Sequence, residues 1–289
     1  MVTALREILS YPFMVNAFRA GAIVAVVAGA MGWFMVLRRE TFAGHTLSVV
    51  GFPGAAAAVL LGWPAAFGYF GFCIGAALVI GAASRSASAT TYREESALIG
   101  TVQAMALASG FLFVTLYAGN LNGLTSLLFG NFLGITSGQV LLLLVLSVAA
   151  LLILVAIGRP LLFASVDPEV AAAAGLHVGA LSIGFLVLLG VAVAEASQIT
   201  GSLLVFALLV LPPATAQVIT GRPVAGLILA IALGVAVTWA GLLIAYYTPY
   251  PVGAYITTLS FAAYVVARVA RWAGTRHRTA RPLTVPEAA

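Results

Sequence analysis

The sequence predicts an all-α fold: a polytopic transmembrane helical bundle of about 8–9 spans. Three observations predict it. Hydrophobic residues make up 63% of the 289 residues and charged residues only 7%, whereas a soluble domain carries about 25% charged residues. So few charges cannot cover a surface facing water. The apolar residues fall into runs close to the roughly 20 residues a helix needs to cross a bilayer. The 13 basic residues are all arginine, and all but Arg6 and Arg19, which fall on or near the opposite side, collect at one set of run ends.

The runs lie at about 13–37, 42–62, 65–83, 97–118, 139–157, 180–195, 199–219, 223–246 and 252–270. The second contains "GFPGA", where Pro53 lies among glycines and marks a place at which the helix can break, because proline removes a backbone donor. Arg38 and Arg39 follow the first run, Arg85 and Arg93 the third, Arg159 the fifth and Arg222 the seventh. Arg268, Arg271, Arg276, Arg278 and Arg281 close the chain. With strict alternation these fall on one side, which the positive-inside rule makes cytoplasmic. The N-terminus is then outside, with residues 1–12 readable as an interfacial segment on either side. "GWPAAFGYF" (62–70) and "YYTPYPVGAY" (246–255) supply the aromatic belt expected at the outer interface. The Gly-rich stretch 118–138 is too polar to span and reads as an outer loop or a short re-entrant helix.

The chain therefore divides into one transmembrane unit, 1–274, and a polar tail, 275–289. The formal net charge of +5 could suggest nucleic acid, but arginines at the ends of apolar runs report topology instead, so no nucleic-acid partner is expected. Cys73 is the single cysteine, which excludes an internal disulfide and reads as a core residue. No cleavable signal peptide is expected, because the first apolar run is long and ends in "LRRE".

One long inner segment, 158–180, joins the fifth and sixth runs. It holds the only aspartate, Asp167, followed by Pro168 and Glu169. Asp before Pro-Glu starts a helix well: the carboxylate caps free amides, and proline suits the first helical position. "EVAAAAGL" then gives a short helix ending at Gly175. A short, capped helix on the inner side is suited to docking on a partner.

Charge inside a bilayer costs on the order of 2.5–3.5 kcal/mol on insertion scales, so polar residues in the runs need reasons. Glu195, just before Gln198, lies at or near the end of the sixth run. It is either hydrated at the outer interface or a station on a cation pathway. His45 follows the two arginines by about two turns. A lone helical histidine is more often a packing residue than a ligand, yet neutral imidazole is the commonest nitrogen ligand for transition metals. Same-face partners would stand at positions 41 and 49, which hold Thr41 and Val49. Ser48 is the nearest polar neighbour, so this helix alone does not form a high-affinity site. The sequence has no phosphate-binding loop and no catalytic triad or zinc-protease pattern. Enzymatic activity in this chain is not expected.

Five stretches, in order, resemble one family over about residues 12–265. They are "YPFMVNAFRAGAIVAVVAGAMGWFMVLRRETFAGHTLSVVGFPGAAAA", "EESALIGTV", "LLFGNFLGI", "DPEVAAAAGLHV" and "ITGSLLVFALLVLPPATAQVIT". The family is the membrane permease of ABC-type manganese, zinc and iron uptake systems. The resemblance implies a type II ABC importer-like bundle in the bacterial cytoplasmic membrane, with two copies forming the pathway by alternating access. It implies a separate cytoplasmic ATPase subunit docked on Asp167, Pro168, Glu169 and Gly175, and an extracytoplasmic solute-binding protein. No cofactor is bound permanently; a divalent transition metal is the cargo. In the family an Asp and a His four residues apart usually face the pathway. Here that register runs Gly44-His45-Thr46-Leu47-Ser48-Val49, with His45 in the aspartate's place and Val49 in the histidine's. The exchange of oxygen for nitrogen leans from Mn²⁺ toward an ion such as Zn²⁺. Glu195, Ser48 and Gln198 are further pathway candidates. Metal chelates and other small solutes stay open as cargo, and a secondary transporter or a scaffold without transport are the alternatives from other classes.

Overall fold

The computed structural model describes residues 8, 10–86, 92–117, 130 and 134–279. Among these, every regular element is a helix. We number them α1 (Pro12–Leu37), α2 (Thr41–Leu60), α3 (Ala65–Ser86), α4 (Tyr92–Leu116), α5 (Ser137–Val166), α6 (Pro168–Ala173), α7 (Val178–Thr200), α8 (Ser202–Ile219), α9 (Pro223–Tyr246) and α10 (Val252–Thr279). Eight are long and apolar enough to cross a membrane. The exception besides short α6 is α8, whose 18 residues reach about 27 Å at 1.5 Å per residue, close to the roughly 30 Å hydrocarbon thickness.

Packing shows where α8 runs. Its first residues follow Gly201 beside Gly130, and Leu204 lies against Gly253 at the start of α10. At its other end Gln217 Nε2 donates to the carbonyl of Trp33 at 3.0 Å, near the end of α1. α8 therefore runs through the bundle from the Gly201 end to the Trp33 end, as a shorter apolar helix beside the eight long ones. It packs against α1, α2, α7, α9 and α10, which explains how a helix carrying Pro212 and Pro213 is held.

The two ends of the bundle differ as the sequence predicts. Tyr11 stacks near Phe13 and Tyr246, with ring centroids 5.6 and 6.4 Å apart, and Trp63, Phe67, Tyr247 and Tyr250 are exposed at the same end. Nearby, Asn16 Nδ2 donates to the carbonyl of Ile135 at 3.1 Å and to Ser137 Oγ at 3.3 Å, tying α1 to α5. Arg38, Arg39, Arg159 and Arg222 mark the opposite end, together with α6. Small residues let helices approach where lipid gives no hydrophobic drive between them. Gly54 of α2 and Gly68 of α3 face each other so closely that a Cβ on either would collide with the other's carbonyl oxygen.

Several boundaries differ from expectation. α2 continues through Pro53 as a single helix; Gly110 of α4 packs on the proline, and the neighbouring helices hold the segment in place of the lost bond. α5 does not stop at 157. It continues through Pro160 to Val166, because "LLFASV" keeps an apolar helical pattern and the proline removes only one donor. The inner connection is thus reduced to Asp167 and the residues around α6. α7 runs through Thr200 and breaks at Gly201, where φ is +75°, so residues 195–199 are helix and not a turn. α10 extends through Thr279, five residues into the segment assigned to the tail. The stretch 118–138, expected as an outer loop or re-entrant helix, lies mostly outside the described residues, as do 1–7 and 280–289.

Candidate functional site

His45 lies one turn into α2. Gly44 beside it leaves room for the Met35 thioether of α1, which a Cβ there would displace. The imidazole is half-buried and meets the Phe206 ring of α8 at 4.5 Å between centroids, tilted by 60°. Nδ1 is buried and has no hydrogen-bond partner among the described residues. A nitrogen out of water normally finds a partner, so this one retains its full capacity to accept or donate. The expected same-face neighbours do not complete a site. Ser48 is buried and its hydroxyl donates back to the carbonyl of Gly44 at 3.0 Å, closing on its own helix. Val49 is half-buried and offers no donor atom. Thr46, on another face, donates to Gln103 Oε1 of α4 at 3.0 Å.

Glu195 is not at a hydrated interface. It is 3% exposed within α7, and its Oε1 accepts from Ser147 Oγ of α5 at 3.0 Å. The second carboxylate oxygen is buried without a hydrogen-bond partner among the described residues. Of the two readings that the sequence offers for Glu195, its burial disagrees with the hydrated one: the sixth apolar run ends at 195, whereas the helix continues to Thr200. Gln198, one turn on, is exposed and donates to the carbonyl of Ala194 at 3.2 Å. Among the described residues no three His, Cys, Asp or Glu side chains stand together as a metal-holding group.

The second cluster is α6. Asp167 has extended backbone and its carboxylate accepts from the Val170 amide at 3.0 Å, with Pro168 at the first helical position and Glu169 in the first turn. The helix closes with a Schellman motif. The Gly175 amide donates to the Ala172 carbonyl at 3.0 Å and the Leu176 amide to the Ala171 carbonyl at 3.1 Å, with Gly175 at φ +87°. Ala171 alone of the helix is buried; Asp167, Pro168, Glu169 and Gly175 are exposed.

Three participants escaped the sequence. Phe206 and Ser147 are ordinary apolar-run residues whose roles come from helices distant in sequence. Arg38 reads as a topology marker, yet its side chain is only 8% exposed and pairs with Glu40 at 2.7 Å. It also bonds Ser165 and Ser182, at the ends of α5 and α7 that flank α6.

The comparisons with known proteins agree with this geometry. The sequence matches the ABC 3 transport family over residues 10–271. It is 33% identical over 267 residues to the chelated iron transport system membrane protein YfeC of Yersinia pestis, covering 92% of this chain and 89% of that one. It is 32% identical over 236 residues to the manganese transport system membrane protein MntC of Halalkalibacterium halodurans, covering 82% and 80%. A solved structure of PsaBC from Streptococcus pneumoniae in complex with Fab superposes with a TM-score of 0.79 at 26% identity, covering 92% of this chain and 95% of that chain.

Proposed function

The chain belongs to the ABC 3 transport family, and from that premise we propose that it is the permease subunit of an ATP-driven importer for a divalent transition metal. Two copies form the pathway in a bacterial cytoplasmic membrane. A separate ATPase docks on α6 at the cytoplasmic end, and a solute-binding protein delivers the ion at the aromatic end. The observation that carries this reading is α6: an exposed helix, capped at both ends, held rigidly between two long membrane helices. A bundle with no partner has no use for such a projection.

The cargo reading draws on the names of two relatives, which carry manganese and chelated iron, and on His45. Its unpartnered Nδ1 is a ligand atom without another task. One imidazole does not hold an ion long, which suits a pathway, where binding must be weak enough to release. The site contains no Asp or Cys beside it, so the remaining ligands would be the ion's own waters or groups of the second copy. A nitrogen ligand favours zinc over manganese at this position.

The test is metal content and ATP-dependent uptake of Mn²⁺, Zn²⁺ and iron in a strain lacking the chain, complemented by variants. Wild type should restore uptake of one of these ions. His45→Ala and His45→Gln should both fail while still reaching the membrane, because glutamine donates a hydrogen bond but ligates transition metals poorly. Normal uptake by His45→Gln removes the ligand role, and uptake unchanged by deletion of the chain removes the transport reading.

A further inference from the structure

Arg38 and Arg39 are adjacent and both sit between α1 and α2, yet they do different things. Arg39 is exposed and holds the left-handed position of the turn, at φ +61°. Around it the Arg39 amide donates to the Val36 carbonyl at 3.2 Å and the Glu40 amide to the Met35 carbonyl at 3.0 Å, so the turn is closed by backbone bonds. Arg38 points inward. Its Nε and Nη2 both donate to Glu40 Oε1, at 3.0 and 2.7 Å. Nη1 donates to Ser165 Oγ at 3.2 Å and Nη2 to Ser182 Oγ at 2.6 Å. The guanidinium carbon also lies 5.5 Å from the centroid of the Phe185 ring.

Each of these partners has a meaningful address. Glu40 is the N-cap residue of α2, the helix that presents His45 five positions later. Ser165 is two residues before the Asp167 cap of α6. Ser182 is in the second turn of α7, just after α6. One guanidinium thus joins the start of the helix carrying the candidate ligand to both flanks of the docking helix. A topology signal needs only positive charge near the interface. It needs neither burial nor a bond from each of three nitrogens in fixed directions, which is what a planar fork provides and an ammonium does not.

We propose that Arg38 is a positioning residue that makes α6, the flanking ends of α5 and α7, and the start of α2 one rigid body, so that displacement of α6 is delivered to His45. The proposal rests on the permease reading for the source of that displacement, the docked ATPase. Coupling between sites needs a contiguous element that moves as a unit; here side-chain bonds run from Ser165 and Ser182 through Arg38 to Glu40, and two residues of backbone connect Ser165 to Asp167.

The test uses the full chain assembled with its ATPase in nanodiscs, in a Cys73→Ala background, with spin labels at Phe42→Cys in α2 and Ala172→Cys in α6. In the parent the label distance should be narrow and the same without nucleotide and with ATP plus vanadate. Arg38→Lys keeps the charge and should keep assembly and ATPase rate, with a lower melting temperature for the lost guanidinium bonds. Its label distance should broaden or change with nucleotide, and Mn²⁺ or Zn²⁺ uptake per ATP hydrolysed should fall about two- to thirtyfold, the range over which such networks tune coupling. The double variant Ser165→Ala, Ser182→Ala removes two acceptors without touching charge and should do the same; it decides the matter if Arg38→Lys fails to assemble. A parent distance that shifts with nucleotide overturns the proposal. So does a variant that changes only one of the two readouts, or neither. A parent that moves no metal at all would count against the permease reading, while the label distance would still judge the rigid body.

Discussion

Ser147 of α5 donates its hydroxyl to Glu195 of α7 at 3.0 Å, and this single bond is what the buried carboxylate receives from the described residues. The pair sits in the α5–α7 seam, where a carboxylate is costly unless partnered. Ser147→Ala should therefore destabilise the protein by about 1–3 kcal/mol, the cost of stranding a buried polar group. Glu195→Gln keeps an acceptor for the serine and removes the charge, and should melt within about 1 kcal/mol of wild type. Thermal unfolding in detergent checks both. If Glu195→Gln melts normally but loses metal uptake, the carboxylate is a station on the pathway as well as a structural group.

For the α2 register, the double variant His45→Asp, Val49→His restores an oxygen ligand and an imidazole one turn apart on the same face. Oxygen suits manganese better than imidazole alone does, so this variant should accept Mn²⁺ more readily than the parent. Competition between Mn²⁺ and Zn²⁺ for uptake is the measurement, and an unchanged preference would mean that this face of α2 does not touch the cargo.

At α6, Asp167→Ala should cost roughly 1 kcal/mol of local helix stability through loss of the cap. Gly175→Val forces a branched residue into a left-handed position and should cost about 1–2 kcal/mol more. Neither position is buried, so both variants should reach the membrane in normal amounts. The double variant Asp167→Ala, Glu169→Ala should hydrolyse ATP without proportionate transport. Wild-type transport by that variant would end the docking assignment.

Sidedness can be read with thiol reagents, because Cys73 is fully buried and gives no background. Cysteines placed at Trp63 or Tyr250 should be modified from outside intact cells. Those placed at Ala173 or Gly221 should react only after the membrane is opened. Labelling of Ala173→Cys in intact cells would invert the topology and with it the position of the ATPase.

The bundle was legible because its signals are additive along the chain: apolar runs, arginine ends and aromatic ends each need no knowledge of neighbours. The α6 caps were legible for the same reason, since Asp167, Pro168 and Gly175 act within a few residues. What could not be read was pairing between distant helices. Nothing near Ser147 announces that it faces Glu195, and nothing near Phe206 announces His45. Pro53 reads as a place where the helix can break, but α2 continues through it with Gly110 packed on the ring. α5 likewise continues past 157 to Val166, so the breaks fall at Asp167 and Gly201. Arg38 reads in the sequence as a topology marker, and its bonds to Glu40, Ser165 and Ser182 do not show there, because charge near an interface is visible in sequence and burial is not.

α5 is 30 residues long, about 45 Å at helical rise, against roughly 30 Å of hydrocarbon. From Arg159, where the interface is marked, to Val166 the helix still climbs about 10 Å. Were α5 to stand along the bilayer normal, it would act as a stilt and hold α6 about 10 Å beyond the level of Arg159, within reach of a water-soluble partner. The height of that stilt is measured from the bilayer surface. A thicker membrane would submerge part of it, and tilt or local thinning would have to restore the clearance. Reconstitution in lipids of increasing chain length should therefore weaken capture of the ATPase before it unfolds the bundle, making membrane thickness itself a setting of the machine.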